Sequence, residues 1–255
     1  MSNATENTAL IEFYQERMKA DWDVFFSNSE KSLPNYWEYW EEFSNSWRVP
    51  IQFIQPIGLD SPRYFESLEP LLSKLDSSPE VIVPPTDWLH ISWIHIGFLM
   101  ATDIMWSQVE TFYVNASPRL RRIPPFSIKL SGVSIDDKGV VYVGVYDSGS
   151  YRDARKQARN GVPKVYEVLR DSNEFVDGRD IFIPKLAIGH LSGEGNRQNL
   201  LSLLEDWRTV EFTTIDLTHL QMARIPIMPH DHYASLDVVA QIEMRGENYR
   251  EGYHN

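Results

Sequence analysis

Two short segments place a histidine and a serine two positions apart: WLHISW at 88–93 and IGHLSG at 188–193. Side chains alternate along an extended strand, so His90 and Ser92 share one face while Leu89, Ile91 and Trp93 take the other. His190 and Ser192 likewise share a face opposite Leu191. An imidazole beside a hydroxyl offers hydrogen-bonding partners to phosphate oxygens. Two histidines also suit phosphodiester cleavage, which needs a base for the attacking oxygen and an acid for the departing one. Imidazole, with a pKa of about 6.5, exists in both states near neutrality. Ser92 and Ser192 fit phosphate orientation and charge stabilisation better than nucleophilic attack, because no nearby acid completes a serine triad. By counting alone, two such pairs among seven histidines are unsurprising. Structural, hydrogen-bonded histidines therefore stay open as the other reading of the spacing.

The rest of the chain must bring those two strands together. Residues 9–26 carry Leu10, Phe13, Tyr14, Met18, Trp22 and Phe25 at helical period, and LPNYWEYWEEFSNSWRVP then gathers Trp37, Trp40 and Trp47 among acids. That aromatic segment reads as core packing, a helix covering a groove or an interaction patch. From residue 49 the rhythm becomes mixed. IQFIQPI predicts a strand, and SPRYFESLEPLLSKL a helix capped by Ser61 that Pro70 shortens or interrupts. EVIVPP and WLHISWIHIGF are extended, and a helix follows around 104–113. FSIKLSGVSI and VVYVGVY form a hairpin across DDKG. Gly161 and Pro163 divide a helical stretch at 151–170, FIPKLAIGHLS is the second histidine strand, and GNRQNLLSLLEDW is a helix. TTIDLTHLQMARIPI and YASLDVVAQIEMR predict two closing strands around the loop MPHDH, before a polar tail. The order predicts an α+β fold with helices on the outer faces of its sheets.

Composition narrows the chemistry. There are no cysteines, which excludes disulfides, thiolate metal sites and cysteine nucleophiles. With 24 basic against 36 acidic residues the formal charge is −12, which disfavours long nucleic acid while leaving room for a local pocket that binds one small anion. No leader-like or membrane-length apolar run is present, so a soluble, cytoplasmic protein without a membrane association is expected.

The pair LHISW and GHLSG, 100 positions apart at His90 and His190, resembles the duplicated His-x-Ser/Thr signatures of the 2H phosphoesterase superfamily, the 2'-5' RNA ligase-like or RNA 2',3'-cyclic phosphodiesterase proteins. The resemblance runs over residues 49–243, including PPTDWLHISW, FIPKLAIGHLS and the closing VEFTTIDLTHLQMARIPI and YASLDVVAQIEM. It implies a bilobed, pseudo-twofold α+β fold with a central cleft between antiparallel sheets, residues 1–48 being a helical extension packed on the body and 244–255 a polar tail. It further implies a hydrolase in which His90 and His190 face one another as acid and base while Ser92 and Ser192 hold phosphate oxygens. The substrate would be a nucleotide or short RNA carrying a cyclic phosphate, opened to a 2'-phosphate with no metal or cofactor. This chain departs from the family in the N-terminal 48 residues and in Trp93 and His95, both expected on the strand face away from His90.

Tyr151, Arg152 and Arg155 could stack on a base or meet phosphate, or be solvated or structural. Arg224 and Lys185 are further sources of positive charge, and Tyr233 borders the base pocket or simply starts the last strand. His95 and His219 read as packing residues. His230, Asp231 and His232 are too close together in one loop to preorganise a metal site. Two other functions remain: binding of a cyclic nucleotide or phosphorylated RNA end without catalysis, and a protein-interaction role for the aromatic N-terminal segment.

Overall fold

The computed structural model describes residues 2–28, 32–58, 66–99, 103–162, 175–176, 179–180 and 182–246. Its helices and strands, in chain order, are α1 (Ser2–Ser27), α2 (Tyr36–Ser44), β1 (Pro50–Pro56), α3 (Glu69–Asp76), β2 (Val81–Ile82), β3 (His90–Phe98), α4 (Trp106–Leu120), β4 (Phe126–Ile135), β5 (Val140–Tyr146), α5 (Ser150–Gly161), β6 (Phe175–Val176), β7 (Arg179–Asp180), β8 (Lys185–Leu191), α6 (Arg197–Glu205), β9 (Glu211–Leu217), β10 (His219–Arg224), β11 (Ile227–Met228), β12 (His232–Tyr233) and β13 (Asp237–Glu243). The predicted Ser61 cap, the helix after Pro163 and tail residues 247–255 lie outside the described residues. Among those described, α3 begins at Glu69 with Pro70 in its first turn, where a missing N–H costs nothing.

One antiparallel sheet runs in the order β13-β10-β1-β3-β8-β5-β4-β9, with β2 also pairing β8. Four strands lie on each side of the β3–β8 junction, which is held by the single pair Ile91↔Leu186. This is the α+β arrangement that the order of elements predicts, in the bilobed, pseudo-twofold form that the resemblance implies. TTIDLTHLQMAR, expected as one strand, is two. Its halves pair with β4 at one end of the sheet and with β1 near the other, with Thr218 alone between them. A flat sheet would hold β9 and β10 about 29 Å apart, six spacings of roughly 4.8 Å. One intervening residue spans no such distance, so the sheet must curl.

Curling gives the sheet two unlike faces. The outer face buries Leu71 and Leu75 of α3, Phe112 and Leu120 of α4, Ala154 and Ala158 of α5 and Leu200 and Leu204 of α6 against β-strand residues such as Phe53, Ile91, Val143 and Leu186. The inner face is covered by the N-terminal helices. Tyr14 and Met18 of α1 pack on Tyr142 of β5, and Tyr36, Trp37 and Trp40 of α2 pack on Ile54, Phe98, Ala223 and Ile225. Helices thus lie on the outer face as the sequence predicts, and α2 takes the groove-covering place that is one reading of the aromatic segment.

Candidate functional site

His90 opens β3 and His190 nearly closes β8, on the strands that meet at the lobe junction. A 3-10 turn at Thr86–Trp88 precedes His90 and swings the Trp88 ring into the cleft. That indole is a wall common to both imidazoles, with ring centroids 4.6 Å from His90 and 5.9 Å from His190. His90 and His190 are 6% and 2% exposed, so almost no water reaches either ring.

The hydrogen bonds settle which ring nitrogen carries the proton. His90 Nδ1 lies 2.6 Å from the Trp88 carbonyl oxygen, which only accepts, so Nδ1 is protonated. His190 Nδ1 lies 2.6 Å from the Tyr233 hydroxyl, and that hydroxyl donates its one proton to the Ile82 carbonyl at 2.9 Å. His190 Nδ1 must therefore donate too. Both neutral imidazoles keep their lone pair at Nε2. Burial pushes His90 down to about 4, opposed by its bond to the Trp88 carbonyl, and burial together with the charge of His90 pushes His190 down to about 3.

Ser92 is on the same face as His90 and donates to Gln52 Oε1 at 2.7 Å. Ser192 donates to the Pro79 carbonyl at 2.6 Å and accepts from Glu194 N at 3.1 Å, which shapes the turn after β8. The strand itself is irregular. Pairing with β1 skips Trp93, since Ile54 faces Ser92 while Phe53 faces Ile94 and Gln52 faces His95. The bulge flips the alternation, so His95 lies on the cleft face with His90 and Ser92, contrary to the period-2 expectation. Trp93 does turn away, stacking on Tyr151 at 4.5 Å.

Other candidates are dispersed. Tyr151 is fully buried behind β3, its hydroxyl donating to the Ser92 carbonyl. Arg155 is buried there too, donating to the Trp93 carbonyl with its guanidinium 3.6 Å from the Phe182 ring centroid. Arg152 lies over Phe13 and Tyr14 of α1. Arg224 pairs with Asp237 at 2.9 Å on the adjoining strand β13. Lys185 is on the cleft face of the second lobe, 3.0 Å from Asp21 and 3.4 Å from Asp136. Among the described residues, no three His, Asp or Glu side chains are grouped as a metal-ligand set.

The cleft is filled from above by α2. Asn35 caps this helix by accepting from Trp37 N at 3.0 Å, and its backbone bridges Ser192 at the end of β8. The Tyr36 ring then lies 4.1 Å from the His190 ring, and Trp37 lies 5.7 Å from it and 4.1 Å from His232. Phe43, at the far end, reaches His95 at 6.0 Å. Trp37 and Trp40 thus point into the protein, which removes them from any external interaction patch.

No family model and no curated protein matches the chain. Solved structures do. TT0787 of Thermus thermophilus aligns with a TM-score of 0.59 at 15% identity, covering 78% of this chain and 99% of its own. A phosphoesterase aligns with a TM-score of 0.54 at 12% identity over 77% and 98%. E. coli LigT complexed with 3'-AMP aligns with a TM-score of 0.52 at 10% identity over 78% and 99%. The 2H phosphoesterase-like architecture expected from the paired histidine strands is the fold these proteins share with this chain, which carries additional residues beyond it.

Proposed function

We propose that this chain is a metal-independent phosphodiesterase that opens the 2',3'-cyclic phosphate of a nucleotide or short RNA end to a 2'-phosphate, using His90 and His190. The observation that carries the reading is the convergence of both His-x-Ser strands on one cleft, with each Nδ1 held by an oxygen acceptor and each Nε2 left to exchange a proton. The nucleotide class is supported by the LigT structures, solved with 3'-AMP and with NADP+ on the same fold. In the reaction, one neutral Nε2 takes a proton from water as its oxygen bonds to phosphorus. The P–O3' bond breaks, and the other histidine, as imidazolium, protonates the departing 3' oxygen. That assignment requires one imidazole to be charged, so turnover belongs to a state in which the pair is better hydrated than in the closed cleft. Ser92 and Ser192 exchange their present acceptors for phosphate oxygens.

The test is phosphorus NMR on 2',3'-cyclic AMP with the native chain and with His90→Ala and His190→Ala. Each variant is expected to lose at least about a hundredfold in rate, within the range removed with a general acid or base, while chelator leaves the native rate unchanged. Full activity in both variants overturns the roles. Intact cyclic nucleotide recovered from the native chain alongside measurable binding establishes the non-catalytic alternative, which the burial of both imidazoles favours.

A further inference from the structure

We propose that α2 is an intramolecular cover of the His90–His190 cleft, and that ligand and cover occupy that cleft in turn. Only the chemical class of the ligand rests on the reading above, and the cover itself stands on geometry. The N-terminal helices present the two features that a nucleotide would bring to this face: an aromatic ring against an imidazole, Tyr36 on His190 at 4.1 Å, and an anion against a cation, Asp21 on Lys185 at 3.0 Å. Both contacts come from the part of the chain that precedes the curled sheet.

The neighbouring way in is unsuited to an anion. A groove of about 730 Å³ reaches Tyr233 from the side of α3, and its walls include Glu66, Glu69, Asp76 and Asp231. Phosphate would be repelled there. The turn that ends α2 points the same way. Asn45, Ser46 and Trp47 have φ of 48°, 71° and 62°, three consecutive non-glycine residues in the left-handed region. Such a run persists only where surrounding contacts enforce it. Here they are the Ser46 N bond to the Glu41 carbonyl, the Trp47 N bond to Ser44 Oγ and Arg48 over Phe98. The first two lie within α2 and its own turn, so among these contacts it is Arg48 over Phe98 that ties the turn to the sheet beneath α2.

Carbethoxylation of histidines by diethyl pyrocarbonate at pH 7, read by peptide mass, tests the cover in the full chain. Exposed His230 is the internal standard. In the native chain His90 and His190 are expected to react at least about tenfold more slowly than His230, as local opening dictates. In Trp40→Ala, which loosens α2 without touching either imidazole, both should approach the His230 rate. Native rates equal to that of His230, or protection that survives in a folded Trp40→Ala, overturn the proposal. Amide exchange of the native chain adds a measurement independent of any variant. The α2 amides must exchange by an opening that leaves β3 and β8 protected, and exchange of α2 only with global unfolding overturns the cover. With 3'-AMP bound, α2 must lose protection, and bound nucleotide with α2 protection unchanged overturns it as well. Cyclic nucleotide turnover separates the two ideas. Histidines unmasked in Trp40→Ala without hydrolysis leave the cover standing and remove the phosphodiesterase, whereas hydrolysis with α2 undisplaced does the reverse.

Discussion

At the scale of single residues, Tyr233 is the group that decides the state of His190. Its hydroxyl has one proton, committed to the Ile82 carbonyl, and its oxygen thereby accepts from His190 Nδ1. Burial keeps this phenol well above its usual range, so it remains neutral throughout the working pH. Tyr233→Phe keeps the ring packing and deletes the acceptor. In the proposed hydrolysis kcat is expected to fall about tenfold with KM little changed, the lower end of what removal of an outer hydrogen-bond partner of a functional histidine costs. The pH–rate profile should move as well, and nitrogen-15 shifts of His190 should report a mixture of tautomers. An unaltered profile and tautomer would reduce Tyr233 to packing. His90 has no such side-chain handle, because its acceptor is the backbone of Trp88.

At the scale of elements, the αL turn after α2 and the bulges in the histidine strands set where side chains point. Ser46 is held at φ 71°, a conformation that costs a non-glycine residue about 1–2 kcal/mol. Ser46→Gly should therefore stabilise the closed protein by about 0.5–1 kcal/mol in urea unfolding, after the entropy that glycine adds to the unfolded chain is set against it. Unchanged or lowered stability would mean the turn carries no strain. These features also mark the limit of what the sequence discloses. Apolar alternation identifies β1, β3, β4, β5 and β8, and DDKG identifies a hairpin that closes with Val140 N on Asp136 Oδ1 at 3.0 Å. Alternation cannot disclose that Trp93 is skipped in pairing with β1, which is why period two puts His95 on the wrong face. Nor can it divide TTIDLTHLQMAR, where a continuous apolar rhythm crosses a change of sheet partner fixed by tertiary pairing. The Tyr233–His190 bond spans 43 positions and rests on a small hairpin that leaves no periodic trace.

At the scale of the whole molecule, the closed cleft stores a dependence on pH. His90 and His190 have folded values of about 4 and about 3, below the roughly 6.5 of a hydrated imidazole. A histidine with a depressed value gives the closed state stability that is complete above about pH 6.5 and is withdrawn as pH falls towards the folded value. At pH 5 the first histidine to charge weakens closure by about 2 kcal/mol, at 1.36 kcal/mol per pH unit. The second contributes less because two cations would then face each other. His95, pushed down to about 4 by burial beneath Phe43, acts in the same direction. Partly exposed Asp136 and buried Asp147 act against it, since desolvation raises both and acid relieves their charge. Asp147 lies towards α1, accepting from Tyr14, whereas Asp136 faces Lys185 and also the Tyr36 hydroxyl of α2, so the fall read at α2 is the histidines' effect less what Asp136 offsets. Between pH 7.5 and 5, exchange protection factors of the α2 amides, corrected for the intrinsic pH dependence of exchange, should fall about tenfold or more while those of β3 and β8 hold. Removing one imidazole, in His190→Gln, should flatten that fall. Protection of α2 that is indifferent to pH in the native chain would mean that the two rings charge without displacing the helix above them.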